Sequence, residues 1–281
     1  MKTTEEIKAD IDTIVRKQGN QGALKLGDVL DDIVDNLSVV NKVMANIPDV
    51  ATFQTAVPNT ATEIVFAYYG GVDLTGYTKS GNIGKDIDVY ADDTKYAVVS
   101  SKTIFAPEDC AAFFIDYNAL TSLDLSNFDT SKATTFSEMF QNCRGLTSLD
   151  VSNFDTSNVT TFSEMFKACS GLTSLDVSNF DTSKATTFSQ MFRGCSGLTS
   201  LDVSNFDTSK ATTFSEMFRG CSNATTIIAN DWSASVTSGS MFLDCTSLVG
   251  GNGTTYNSSH VDASYAHIDV ADNPGYFTAP A

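Results

Sequence analysis

The side chains with chemistry to offer here are six cysteines, two series of aspartates and two histidines. Cys143, Cys169, Cys195 and Cys221 recur every 26 residues, Cys245 follows after 24, and Cys110 precedes them out of column. No pair has C-x-x-C spacing, so neither a zinc site nor a thioredoxin-type site is signalled. Stacked strands lie ~4.8 Å apart, a separation that disulfide geometry tolerates. Yet Cys169 shares an apolar face with Phe162, Met165 and Phe166. A thiol in such company behaves as a small hydrophobe. The expectation is therefore a packed, reduced column, with cross-linking of neighbours as the alternative.

Asp124, Asp150, Asp176 and Asp202 form one aspartate series, and Asp129, Asp155, Asp181 and Asp207 a second. Aligned carboxylates ~5 Å apart repel by roughly 1–3 kcal/mol, depending on the effective dielectric. Lysines, cations or turn hydrogen bonds must offset this. Lys132, Lys184 and Lys210 sit three residues beyond members of the second series, whereas the first has no evident basic partner. The preferred reading of the first series is a solvated face screened by salt, with divalent-cation binding as the alternative. His260 and His267 stand seven apart near Asp262 and Asp269, in a chain so rich in Ser and Asp that such proximity carries no catalytic signal. No G-x-S-x-G, H-E-x-x-H, P-loop or dinucleotide fingerprint occurs. Gly250-Gly-Asn-Gly253 reads as a turn and not a phosphate cradle, since no Gly-Lys-Ser/Thr follows. No enzyme, metal site or cofactor is expected.

The elements that position these residues are repeats. From Leu120 the chain runs LTSLDLSNFDTSKATTFSEMFQNCRG, and further copies begin at Leu146, Leu172 and Leu198. The last two differ only at Gln190/Glu216 and Gly197/Asn223. A diverged, shortened copy starts at Ala224. Within a unit, Leu149 and Val151 alternate with Ser148, Asp150 and Ser152, the period of a half-buried strand. Phe162, Met165, Phe166 and Cys169 then fall at i, i+3, i+4 and i+7, the stripe of a short helix. Asp155-Thr-Ser157 offers turn and cap chemistry, and Gly171 is placed to release the chain from that helix. A single unit cannot bury both stripes, so the units must stack.

The segment Cys169, Leu172, Leu175, Val177, Phe180 matches the C-x2-L-x2-L-x-V-x2-F frame of leucine-rich repeats. The fuller LTSLDLSNFDTS…MF…C pattern resembles the 26-residue surface-protein subtype of the BspA-like leucine-rich-repeat family, over about residues 110–280. The closing stretch Gly250–Thr278 is similar to the C-terminal cap of such proteins, and a cap protects an otherwise open strand edge. The resemblance implies bacterial surface adhesion or, less often, a viral protein, and no enzymatic activity. At the front, Cys110-Ala-Ala-Phe-Phe fills the Phe-Ser-Glu-Met-Phe slot and Tyr117 the cysteine slot, the pattern of a half-repeat cap.

In the N-terminal third, Ile7, Ile11 and Ile14 begin a helical pattern that Gln18–Gly22 breaks. Leu26, Leu30, Ile33, Leu37, Val40 and Met44 then form a heptad seam, fitting either a helical hairpin or an oligomerisation and docking module. The segment from Arg16 to Leu26, RKQGNQGALKL, resembles N-terminal segments of fibre and other virion structural proteins from phages of gut bacteria. Residues 63–69 and 96–105 read as strands separated by a Gly70-Gly71 turn. The expected class is thus α/β: a leucine-rich-repeat-like solenoid of short parallel strands and short helices behind an N-terminal α-helical module. Its parts are a helical module (1–48), a β-rich connecting segment (49–109), the solenoid (110–249) and a C-terminal cap (250–281).

Composition narrows the partners. The chain of 281 residues carries a formal charge of −17, which disfavours nucleic acid and anionic membrane surfaces. No apolar run reaches the ~18 residues of a membrane span, and Met1–Asp12 lacks the apolar core of a secretory signal. That favours a virion structural protein assembled in the host cytoplasm, a head- or tail-associated fibre or decoration. The alternative is a BspA-like bacterial cell-surface adhesin. Expected partners are other virion proteins and further copies of the chain, as dimer or trimer, through the helical seam, and a host surface protein or glycan. The serine- and aspartate-rich strand face lacks the aromatic anchors of binding hot spots. Trp232, Tyr256, Tyr265 and Tyr276 make the last repeat and cap the candidate contact surface.

Overall fold

In the computed structural model the described residues are 45–281, apart from 85, 233–235 and 237. The heptad seam Leu26–Met44 lies outside them, whereas the last residues of the expected helical module, 45–48, are described and hold a short strand in place of helix. The described residues belong to one compact unit, Ala45–Ala281.

The unit opens with β1 (Ala45–Asn46) and the helix α1 (Val50–Ala56). Asp49 caps α1 by accepting the Thr52 N–H at 2.7 Å, and Pro58, two residues past its end, prevents continuation. The buried Phe53 packs on Phe113, with ring centroids 4.4 Å apart. Four longer strands follow, β2 (Glu63–Tyr68), β3 (Thr78–Ile83), β4 (Ile87–Asp92) and β5 (Lys95–Ser100), and then β6 (Ile104–Phe105). The first repeat supplies β7 (Ser122–Asp124) and β8 (Phe128–Asp129). The five-stranded sheet has the order β3-β4-β5-β2-β7. It is mixed: β3, β4 and β5 pair antiparallel, whereas β2 is parallel to both β5 and β7. Glu63–Val65 pairs in register with Ser122–Asp124, so the β-rich segment flanks the repeats directly. A second sheet, β1-β6-β8, is parallel. At the far end β9 (Ser200–Asp202), β10 (Thr226–Ile228) and β11 (Phe277–Thr278) form a parallel sheet in the order β11-β10-β9.

The expected α/β solenoid of strands backed by helices is corrected by this structure. Strands and turns dominate, the largest sheet is mixed, and α1 is the one α-helix among the described residues. The Phe162–Cys169 stripe, expected as a helix, is a run of tight turns. A helix commits each N–H to the carbonyl four residues back. Here Phe162, Glu164, Phe166 and Ala168 donate to Thr187, Ser189, Met191 and Arg193 of the next repeat, while Met165, Lys167 and Cys169 donate three residues back. Glu164 and Ala168 also have positive φ, 59° in each case, a conformation that no α-helix contains. Spacing of i, i+3, i+4, i+7 therefore arises here from turns that bond alternately inward and onward. Regular strand is likewise confined to the outer repeats, at β7 and β8 in the first and at β9 and β10 in the last two.

What the repeats do share is a common core. Phe114, Phe140, Phe166, Phe192, Phe218 and Phe242 form a column of near-parallel rings, with successive centroids 5.3, 5.7, 5.7, 5.9 and 5.8 Å apart. One hydrophobic cluster runs from Ala45 to Phe277. Gly171 does not end a helix. A Cβ there would lie 2.4 Å from the Arg144 carbonyl oxygen and 2.6 Å from that of Leu146, so the residue is small because the chains touch.

Candidate interaction surface

All six cysteines are buried and free. Each repeat thiol donates to a carbonyl of the preceding unit: Cys143 to Phe114, Cys169 to Phe140, Cys195 to Phe166, Cys221 to Phe192 and Cys245 to Phe218, at 2.9–3.1 Å. Burial pushes the thiols of Cys110, Cys169 and Cys245 up to about 12, and raises Cys143, Cys195 and Cys221 as well. Thiolate is the reactive form, so the column is inert and serves packing.

Both aspartate series close turns. Asp124, Asp150, Asp176 and Asp202 accept the N–H of Ser126, Ser152, Ser178 and Ser204 at 2.9–3.0 Å. Asp129, Asp155, Asp181 and Asp207 accept from Ser131, Ser157, Ser183 and Ser209 in the same way, at 2.8–3.0 Å. Bonds from the Ser152 and Ser178 groups hold the Asp150 and Asp176 carboxyls below the ordinary value. Asp181 and Asp207 are lowered by Ser183 and Ser209 first, and then by Lys184 and Lys210. Turn hydrogen bonds thus offset the repulsion along each series. Among the described residues no group of three or more His, Cys, Asp or Glu is arranged to hold a metal ion.

A third polar series escaped sequence reasoning because its members change type between units. Gln141 donates to Glu164 at 2.7 Å and Lys167 pairs with the same carboxylate at 2.7 Å. Arg193 binds Gln190 and, 2.7 Å away, Glu216, which also pairs with Arg219 at 2.9 Å. These half-buried groups pair with one another within and across the repeats.

The last repeat and the cap hold the candidate contact residues. Trp232, 5% exposed, is packed inside against Phe214 (4.8 Å) and edge-on to Phe277 (5.0 Å). Tyr276 is fully buried, and its hydroxyl accepts the Asn257 N–H at 2.9 Å. The structure thus places these two in the core, leaving the half-buried Tyr256 and Tyr265 to reach the surface. Tyr256 accepts the Asp244 N–H through its hydroxyl at 3.1 Å. Tyr265 closes the 3-10 turn Ala263–Tyr265, capped by Asp262, which accepts the Ser264 N–H. His260 stacks on Tyr265 with centroids 4.5 Å apart and planes 13° apart, and Tyr265 in turn lies 5.0 Å from Tyr276. Rings therefore step outward from the core to His260. Val249 and Val270 are exposed in the same region. At the other end Tyr68 and Tyr69, part of a sequence-predicted strand, are 47% and 46% exposed.

One carboxylate organises the cap. Asp269, 5% exposed, accepts the N–H groups of Asn252 (2.8 Å), Thr254 (2.9 Å) and Gly275 (3.3 Å) and the Thr254 hydroxyl (2.6 Å). Burial alone would raise this carboxyl, and the four hydrogen bonds outweigh it and hold it below the ordinary value. Gly250-Gly-Asn-Gly253 is thus a turn whose backbone cradles an anion of the protein itself. A Cβ on Gly250 would lie 2.3 Å from the Gly275 carbonyl oxygen. The glycines were legible in sequence, and the carboxylate that they enclose was not.

No curated protein and no solved structure matches the chain. A family model described as "Mycoplasma protein of unknown function, DUF285" matches residues 108–232 and 175–273, together more than half of the chain. The matched residues run from the half-repeat at Cys110 through the stacked units into the cap, and on that match the chain belongs to the DUF285 family.

Proposed function

We propose that this protein is a structural component of a bacteriophage virion, a fibre or decoration that acts by binding and not by catalysis. The carrying observation is the set of six buried, unpaired thiols. Disulfides form in oxidising compartments and thiols persist in the cytosol. A column of thiols packed as core suits a chain that folds and assembles in cytoplasm. The N-terminal resemblance to phage structural proteins points the same way. In this reading the seam from Leu26 to Met44 (Leu26, Leu30, Ile33, Leu37, Val40, Met44) joins copies or neighbouring virion proteins. The repeats carry the cap outward, and Tyr256 and Tyr265 meet a host protein or glycan. Among the described residues no helix is long and apolar enough to cross a membrane.

A bacterial cell-surface adhesin is the second reading, favoured by the BspA-like repeat pattern. Immunogold electron microscopy with an antibody to the repeats separates the two. Label on phage particles is the expected result, and label confined to the cell envelope would establish the adhesin instead.

A further inference from the structure

We propose that the units between Leu146 and Asn223 are interchangeable length elements, a spacer that sets how far the cap stands from the five-stranded sheet. Two units differing at two positions, 172–197 and 198–223, offer their neighbours almost the same surface. The structure shows the main side-chain bonds repeating from one interface to the next. The Thr156 hydroxyl donates to the Asp181 carbonyl at 3.0 Å and accepts the Asp181 N–H at 2.7 Å. One unit on, Thr182 does the same with Asp207 at 3.2 and 2.7 Å. Asn179 donates to the carbonyls of Val151 and Phe154, and Asn205 to those of Val177 and Phe180, all at 3.0–3.1 Å. Thr161, Thr187 and Thr213 bridge in parallel.

Each interface is therefore indifferent to which unit lies on either side. Removing residues 172–197 joins Gly171 to Leu198 and recreates the Cys-Ser-Gly-Leu-Thr junction already present twice. Every lost partner is replaced in kind: Phe188 by Phe214, Phe192 by Phe218, Cys195 by Cys221, Lys184 by Lys210. Glu216 takes the place of Gln190 beside Glu164; it loses Arg193, whose repeat position falls to Lys167, but keeps Arg219, and Glu164 keeps Lys167. The specific features, Trp232, Asp269 and the ring series to His260, all lie beyond the exchanged region.

The test uses the full chain in three lengths: the parent, a variant lacking 172–197, and one with that unit duplicated. Deletion is expected to fold with five buried thiols in place of six and duplication with seven, all unreactive until denatured. The near-UV signal of Trp232 should be unchanged in both. Melting temperature should rise in the order deletion, parent, duplication, because stability in stacked repeats is a sum over units and interfaces. Maximum dimension from small-angle scattering should change by about one strand spacing, ~5 Å, per unit. Native-state thiol reactivity or loss of the Trp232 signal in either variant would overturn the proposal. So would a shift of melting temperature in the same direction for both, since that would mark each unit as tied to its place.

Discussion

At the scale of single residues, the structure turns polar side chains inward on their own backbone. Asp269 is the sharpest case, a buried carboxylate satisfied by four neutral donors. Replacing Asp269 with Asn leaves at least one donor unsatisfied, and should cost about 1–3 kcal/mol, read as a lower midpoint in urea. The carboxyls of Asp150, Asp176, Asp181, Asp207 and Asp269 are all held below their ordinary value in the fold. Groups depressed in this way stabilise the native state above the unfolded carboxyl value, ~3.9. They lose that contribution as pH falls through the folded values. Melting temperature is therefore expected to be level from neutral pH down to about 5, and to fall steeply below about 4. A loss of stability already complete at pH 5 would show that other groups govern it.

At the scale of elements, the repeat is held by bonds that leave the unit. This explains what was legible in the sequence and what was not. The 26-residue period, the columns of Phe and Cys, and the buried alternation of Leu149 and Val151 followed from periodicity, which reports burial. Helix did not follow, because burial at Phe162, Met165, Phe166 and Cys169 is the same whether the chain coils or turns. The bonding of Phe162, Glu164, Phe166 and Ala168 to the next unit decides between the two, and periodicity carries no trace of it. The β3–β4 hairpin was missed for a related reason. Thr78–Ile83 is an edge strand with little burial and no alternation to read. Two substitutions probe the inter-unit bonds. Asn179→Ala removes the donor to Val151, Ser152 and Phe154 and should destabilise by about 1–3 kcal/mol. Gly171→Ala forces a methyl against the Arg144 and Leu146 carbonyls and should cost a similar ~1–3 kcal/mol. Were Gly171 a helix terminator with open space around it, alanine would be nearly neutral.

For the molecule as a whole, the cysteines pack as free, buried thiols. Thiol titration should find no reactive group in the native protein and six in denaturant, whatever its source. Finding fewer than six would count against the proposal of cytoplasmic assembly. Burial of the aromatic residues was not legible. Trp232, Tyr256, Tyr265 and Tyr276 all fall in the last repeat and cap, but sequence reasoning had no means to see that Trp232 and Tyr276 are enclosed by Phe214, Phe242 and Phe277. Aromatic residues are ambiguous in this respect, since the same ring serves a core or a binding face.

The bonds that pass from each unit to the next have a mechanical consequence. They run along the stacking direction, so tension between the two ends pulls each hydrogen bond along its own length and loads few of them in shear. Such an arrangement yields rung by rung from an end, at low force, and does not fail all at once. Under a force probe the chain should lengthen in equal steps of roughly 26 × 3.4 Å, about 9 nm, one for each unit released. The same geometry would let the stack absorb a pull by releasing units in turn while the remainder stays folded.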